Sequence, residues 1–120
     1  MRILLAKPNK LEEVELIDYF QSLHFGVDIA YDRMDLSRKL DQEQIDIVVF
    51  NASNVKDFCL INYINRYYPR VKVIVCMDNG FCSAIEHVRS GAFHALKKPY
   101  HLNDLYDCFN PQTDQGKSRD

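Results

Sequence analysis

The sequence predicts an α/β domain built on a parallel sheet. Three observations carry that expectation. Short apolar runs alternate with stretches of helical periodicity along nearly the whole chain. The apolar runs are rich in branched residues and unbroken by polar ones, as strands buried on both faces require. The 120 residues, 47% hydrophobic and 27% charged, supply one core and one domain.

The elements follow in order. Arg2-Ile-Leu-Leu-Ala6 reads as a buried strand. Asn9 then stands as a helix N-cap, with Glu12 three residues on as its capping-box partner. Leu16, Ile17, Phe20 and Leu23 give that helix one apolar face. Gly26 ends the connection, and Val27 to Tyr31 is a second, weaker strand. Asp32 caps a short helix carrying Leu36 and Leu40. Asp46-Ile-Val-Val-Phe50 is the third strand, and its branched run suits the middle of a sheet. Asn54 caps a third helix through Phe58, Ile61 and Ile64, closed by Tyr67, Tyr68 and Pro69. Lys72 to Met77 is the fourth strand. Phe81, Ala84, Ile85 and Val88 form a helical stripe, with Gly91 at the C-cap position. Ala92 to Leu96 is a fifth strand, and Leu102, Leu105, Tyr106 and Phe109 mark a fifth helix. The segment from Asn110 to Asp120 has no periodicity and reads as a disordered tail or linker stub. The domain is thus 1–109 and the tail 110–120.

Five strands alternating with five helices favour right-handed crossovers and the flavodoxin-like strand order 2-1-3-4-5. In that arrangement ligands meet the carboxyl ends of the strands, near the switch point beside the first strand. The residues to watch are therefore Lys7, Pro8 and Asn9, then Asn51 to Asn54, then Met77 and Asp78, then Lys97, Lys98 and Pro99.

Composition narrows the function. Fifteen Lys+Arg against 17 Asp+Glu give a net charge of −2, which argues against a general nucleic-acid or anionic-membrane binder. No apolar run reaches the roughly 20 residues that span a bilayer. Met1 to Ala6 is too quickly interrupted by Lys7 and Pro8 to serve as a signal peptide. A cytoplasmic protein is expected. Cys59, Cys76, Cys82 and Cys108 form no CxxC pair and read as reduced thiols. His24, His87, His94 and His101 are scattered, and no spacing fits a metal site. The glycines at 26, 80, 91 and 116 make no phosphate-cradling loop. Lys7-Pro-Asn-Lys10 lacks the Ser, Thr and Gly that a flavin phosphate would need. No nucleophile–base pair can be argued from spacing. Neither a cofactor nor an enzymatic activity is expected.

The order of segments resembles a response-regulator receiver domain of two-component signalling, over residues 2 to about 109. Arg2 to Ala6 resembles the family's opening strand. Asp46-Ile-Val-Val-Phe-Asn51 resembles the strand that ends in the phosphoaccepting Asp, and Val73 to Met77 resembles the fourth strand. Gly91-Ala92 followed by Leu96-Lys-Lys-Pro99 resembles the family's Gly-Ala…Lys-Pro signature. The resemblance implies that Lys98 is the family's lysine and that the bond to Pro99 is cis, an isomer open to prolyl bonds.

The positions that carry receiver chemistry are mostly replaced. The acidic pair that would hold Mg²⁺ corresponds to Lys7 and Pro8, although Mg²⁺ requires oxygen ligands. Asn51 stands where the phosphoaccepting carboxylate belongs, and an amide cannot form the acyl phosphate. Met77 replaces the switch Ser or Thr, and Ala95 replaces the switch aromatic. The resemblance therefore implies a degenerate form, a pseudo-receiver.

Lys98 has two roles open to it. It can pair with a nearby acidic group, for which Asp78 is the natural candidate, or cap strand-end carbonyls. Alternatively, Lys7 and Lys98 flank Asn51 as two cations without a metal, and a small anion binds there. Asp57 is expected to stabilise a helix N-terminus. By the resemblance, partners dock on the face formed by the fourth helix, fifth strand and fifth helix. The corresponding residues are His87, Arg89, Phe93, His94, Lys97, Tyr106 and Asp107, with Tyr100 nearby. Tyr63, Tyr67 and Tyr68 form a second aromatic patch, and His87, His94 and His101 could make an interface pH-sensitive. The expected function is that of a non-catalytic module in a two-component or phosphorelay-type pathway. It acts by protein contact with a sensor kinase, another receiver or a second copy of itself.

Overall fold

The computed structural model describes residues 1–53, 56–77 and 94–109. Five parallel strands, β1 (Arg2–Ala6), β2 (Gly26–Ala30), β3 (Ile47–Asn51), β4 (Lys72–Met77) and β5 (His94–Lys97), form one sheet. Its order is β2-β1-β3-β4-β5, the expected 2-1-3-4-5. Four helices are described: α1 (Lys10–Ser22), α2 (Arg33–Gln42), α3 (Asp57–Tyr67) and α4 (Leu102–Phe109). The helix expected over Phe81 to Val88, and the segment 110–120, lie outside the described residues.

Register explains the two cores. Leu4 pairs with Val48 and Val48 with Val73, while Leu5 pairs with Val49 and Val49 with Ile74. Alternate residues point to opposite faces. Leu4, Val48, Phe50, Val73 and Val75 therefore meet Leu36 and Leu40 of α2 and Phe58, Ile61 and Ile64 of α3. Ile3, Leu5, Val49, Ile74 and Cys76 meet Leu16 and Phe20 of α1 and Leu105 and Phe109 of α4. The ring of Phe20 stacks on that of Phe109 at 5.4 Å between centroids. Both faces of the sheet are covered, which is why β3 and β4 carry no alternation.

The caps behave as the side chains dictate, with two adjustments. Asn9 Oδ1 accepts from Glu12 N at 2.8 Å and Asp32 Oδ1 from Asp35 N at 2.8 Å. The Glu12 carboxylate, however, goes to Lys98 at 2.8 Å, so the expected reciprocal capping box is answered from one side by a stronger partner. α3 begins at Asp57, with Lys56 flanking it. The expected cap Asn54 lies outside the described residues. β2, β3 and β5 each differ by a residue or two from the sequence expectation, the usual uncertainty of an element's end.

Candidate functional site: the carboxyl end of the sheet

The carboxyl ends of β1, β3 and β4 converge with the start of α1, the start of α3 and the segment after β5. Lys7, just past β1, holds φ at 57°, a left-handed conformation that costs a non-glycine residue about 1 kcal/mol. Its backbone N–H donates to Ala30 O at 2.8 Å, which fixes the turn. Its side chain reaches the first residue of α3, where Nζ lies 2.6 Å from Asp57 Oδ1. The Asp57 side chain is 2% exposed. Its other oxygen accepts from Ser53 N at 2.7 Å and from Ser53 Oγ at 3.5 Å. A buried carboxylate needs such partners, because an unpaired one carries a large desolvation cost.

Asn51 ends β3. Its Nδ2 donates to the Lys7 carbonyl at 3.1 Å, and its Oδ1 accepts from Lys98 Nζ. Lys98 also pairs with Glu12 Oε2 at 2.8 Å, and its backbone N–H donates to Met77 O at 2.8 Å. The peptide bond from Lys98 to Pro99 is cis. The result is one polar chain running Glu12, Lys98, Asn51, Lys7, Asp57 and Ser53. Two ammonium groups face two carboxylates, and the amide sits between them.

This arrangement bears on both roles considered for Lys98. Lys98 does pair with an acidic group, Glu12 of α1; the candidate Asp78 lies outside the described residues. Lys7 and Lys98 do flank Asn51, but each ammonium is paired, Lys7 with Asp57 and Lys98 with Glu12. The cavity touching Pro8, Asn51, Cys76 and Tyr100 is about 10 Å³, room for a single water at most. Sequence reasoning missed Glu12 and Asp57 as counter-ions. Both had local helix-terminal roles that explained them, and nothing local marks a partner 50 or more positions away.

Below the amide, burial pushes the Cys76 thiol up to about 12, with Lys98 and a hydrogen bond from Tyr100 acting the other way. Burial also raises Tyr100, helped by Cys76, Glu12 and Glu15. Met77 is fully buried on the α2–α3 side. Ala95 pairs with Val75 and packs against the same core, so neither position offers a hydroxyl or a ring that could move.

The expected docking residues are only partly brought together. His87, Arg89 and Phe93 lie outside the described residues. His94 is half-buried and Lys97 exposed on β5. Tyr106 and Asp107 of α4 both raise the pKa of Tyr19, after its burial, which places them toward α1. Tyr63 lies 5.1 Å from Tyr67 and 6.0 Å from Tyr68 between ring centroids. Tyr68 is tied down by a hydrogen bond to Asp41, so only Tyr67 stands well exposed.

Solved structures share this architecture. The signal receiver domain of an HD domain-containing protein from Pseudomonas fluorescens Pf-5 matches with a TM-score of 0.75 at 18% identity, over 99% of this chain and 98% of that one. A response regulator receiver domain protein from Clostridium thermocellum matches with a TM-score of 0.76 at 21% identity, over 99% and 98%. The chain has the receiver fold. A CheY-like receiver domain protein from Methanospirillum hungatei JF-1 gives a TM-score of 0.77 at 16% identity, over 99% and 98%. No family model and no curated protein matches the sequence.

A receiver fold implies a Mg²⁺ site at this end of the sheet, and the residues present do not fit one. The loop after β1 offers an ammonium and a proline, and the Asn51 oxygen is already taken by Lys98. Among the described residues no three His, Cys, Asp or Glu side chains gather around a common point. The Lys7 ammonium supplies, from within the chain, positive charge at the carboxyl end of the sheet.

Proposed function

We propose that this chain is a pseudo-receiver: a receiver-fold signalling module that takes no phosphoryl group and works by protein contact in a two-component or phosphorelay-type pathway. Its partners in this reading are a sensor kinase or another receiver, met in the cytoplasm. No helix among the described residues is long and apolar enough to cross a membrane.

One observation carries the reading. Asn51 occupies the end of β3 with both ends of its amide engaged, by Lys98 on one side and the Lys7 carbonyl on the other. An acyl phosphate needs a carboxylate there, and no carboxylate is offered. A module in this state responds only to something that binds one of its conformations better than another. Contact with a partner is such an input.

Incubation with acetyl phosphate and Mg²⁺, followed by intact-mass measurement, tests the first half. The expected result is no phosphoryl adduct, and a stoichiometric acid-labile adduct would overturn it. Co-purification from the native cytosol tests the second half. Recovery of a kinase, phosphotransfer protein or receiver supports the pathway, whereas recovery solely of unrelated proteins would mean the fold serves elsewhere.

A further inference from the structure

A cavity of about 500 Å³ opens at the carboxyl end of the sheet, between the starts of α2 and α3. Neither Asn51 nor Lys98 lines it. Its walls carry Lys7, Arg33 and Lys56 against Asp32 and Asp57. That is an excess of positive charge in a sequence whose net charge is −2. A cavity of this size is in the range that encloses small organic ligands.

The pairing pattern identifies which charges are available. Lys7 and Asp57 neutralise each other at 2.6 Å, and Ser53 holds the second Asp57 oxygen. Arg33 and Lys56 are exposed, and among the described residues neither has a carboxylate partner. Two unpaired cations on one cavity suit a phosphate dianion, which Arg grips through paired N–H bonds. α2 starts at Arg33 and α3 at Asp57, so the positive ends of two helices add to the same field. Tyr31 supplies a flat surface beside these cations. It is 60% exposed, yet its hydroxyl donates to the Glu13 carboxylate at 3.2 Å and its backbone N–H to Asp35 Oδ2 at 3.2 Å. A ring held at both ends stacks a planar base at little entropic cost. Asp32 Oδ1 accepts from Asp35 N, and its other oxygen takes no hydrogen bond among the described residues. That oxygen can accept from sugar hydroxyls.

We propose that this cavity binds a mononucleotide. Its phosphate lies between Arg33 and Lys56, its base on the ring of Tyr31, and its ribose hydroxyls donate to Asp32. Leu60 adds an apolar wall. The Lys7–Asp57 pair is already neutral and takes no part in holding the phosphate. The nucleotide is bound and released unchanged, with no bond made or broken. Such a site gives the module a small-molecule input beside partner contact, and it stands independently of the pseudo-receiver reading.

Cys59 is an exposed thiol on the same cavity and reports its occupancy. The full chain is alkylated with iodoacetamide in EDTA, in the presence of AMP, GMP, CMP or UMP, of adenosine, or of inorganic phosphate. Peptide mass spectrometry reads Cys59 and Cys108 separately. The expected result is that a mononucleotide at about ten times its Kd slows alkylation of Cys59 roughly tenfold and leaves Cys108 unchanged. Arg33→Ala and Lys56→Ala should each weaken binding roughly tenfold, and Tyr31→Ala by a similar factor. Arg33→Lys keeps a charge in place and should retain most of the protection, which separates lost binding from a lost fold. Protection by none of the mononucleotides would overturn the proposal. Equal protection by adenosine would do the same, since the phosphate would then contribute nothing. Equal protection by inorganic phosphate would reduce the cavity to a plain anion site and remove the nucleotide. Protection that survives both cation variants, or that slows Cys108 equally, would put the ligand outside this cavity and overturn the assignment.

Discussion

Lys7 and Asp57 lie far apart in sequence and meet at 2.6 Å across the end of the sheet. Asp57 is the one buried charged residue among the described side chains, and Lys7 holds a left-handed backbone to reach it. Lys7→Met should therefore strand a buried carboxylate that keeps its Ser53 hydrogen bonds but loses its cation. A loss of about 2 kcal/mol is expected near pH 7, below the usual range for a fully buried pair because the Lys7 side chain is 34% exposed. Urea unfolding checks it. The double variant with Asp57→Leu should recover most of the loss, since no charge is then left unpaired.

Restoring the carboxylate alone should not restore phosphorylation. Asn51→Asp would place a carboxylate between Lys98 and the Lys7 carbonyl, with no oxygen ligands after β1 to hold a metal. No adduct with acetyl phosphate and Mg²⁺ is expected. Adding Lys7→Asp and Pro8→Asp supplies the missing donors, so phosphoryl incorporation should appear only in the triple variant. Labelling of the single variant would show that the loop after β1 is not what blocks the chemistry.

The Glu12–Lys98 pair should couple measurably. Both side chains are 23% exposed, and Lys98 also donates to Asn51. A double-mutant cycle with Glu12→Gln and Lys98→Met should give a coupling of about 1 kcal/mol. The coupling should weaken between 0.05 and 0.5 M salt by about half or less, since a partly buried pair is less screened than a surface one.

Cysteine chemistry should separate surface from core. Cys59 is exposed and Cys76 buried. Burial raises the Cys76 thiol from 9.0 to about 12, so it stays protonated at pH 8. Iodoacetamide should alkylate Cys59 in the native protein and reach Cys76 only on unfolding. The sign of the linked stability follows. The folded thiol has the higher pKa, so its contribution is intact below pH 9 and is lost as pH climbs from 9 toward 12, at about 1.4 kcal/mol per unit for this group. A stability curve flat through that window would contradict the burial.

Helix caps give a simpler check. Asn9→Ala and Asp32→Ala each remove a 2.8 Å bond to a backbone N–H. Each should cost about 1 kcal/mol in thermal or urea unfolding.

The sheet order and the two helical layers were legible because apolar periodicity is a local signal. A continuous Ile-Val-Val-Phe run states that both faces of β3 are covered before any partner is known. Asn9 and Asp32 were legible for the same reason, since a cap acts on its own next turn. The state of the candidate site was less so. Lys7, Asn51 and Lys98 could be placed at the right end of the sheet from the strand order. Their counter-ions could not, because Glu12 and Asp57 are recruited by tertiary packing across long separations. The groove that Tyr19 and Tyr100 line beside α1 was invisible for a related reason: the two rings share a surface only after the chain has folded.

The stacking of Phe20 on Phe109 has a consequence for the way this chain is made. Phe20 is made well before Phe109, and its ring is fully enclosed in the folded molecule, yet Phe109 stands in the last described helix. A chain emerging from the ribosome can pair β1, β3 and β4 while one side of that sheet still lacks its final cover. Leu16 and Phe20 wait, half-dressed, for α4. Closure of that face therefore waits until Leu102–Phe109 has been made, governed by a contact between residues 20 and 109 that is slow to find because of that separation.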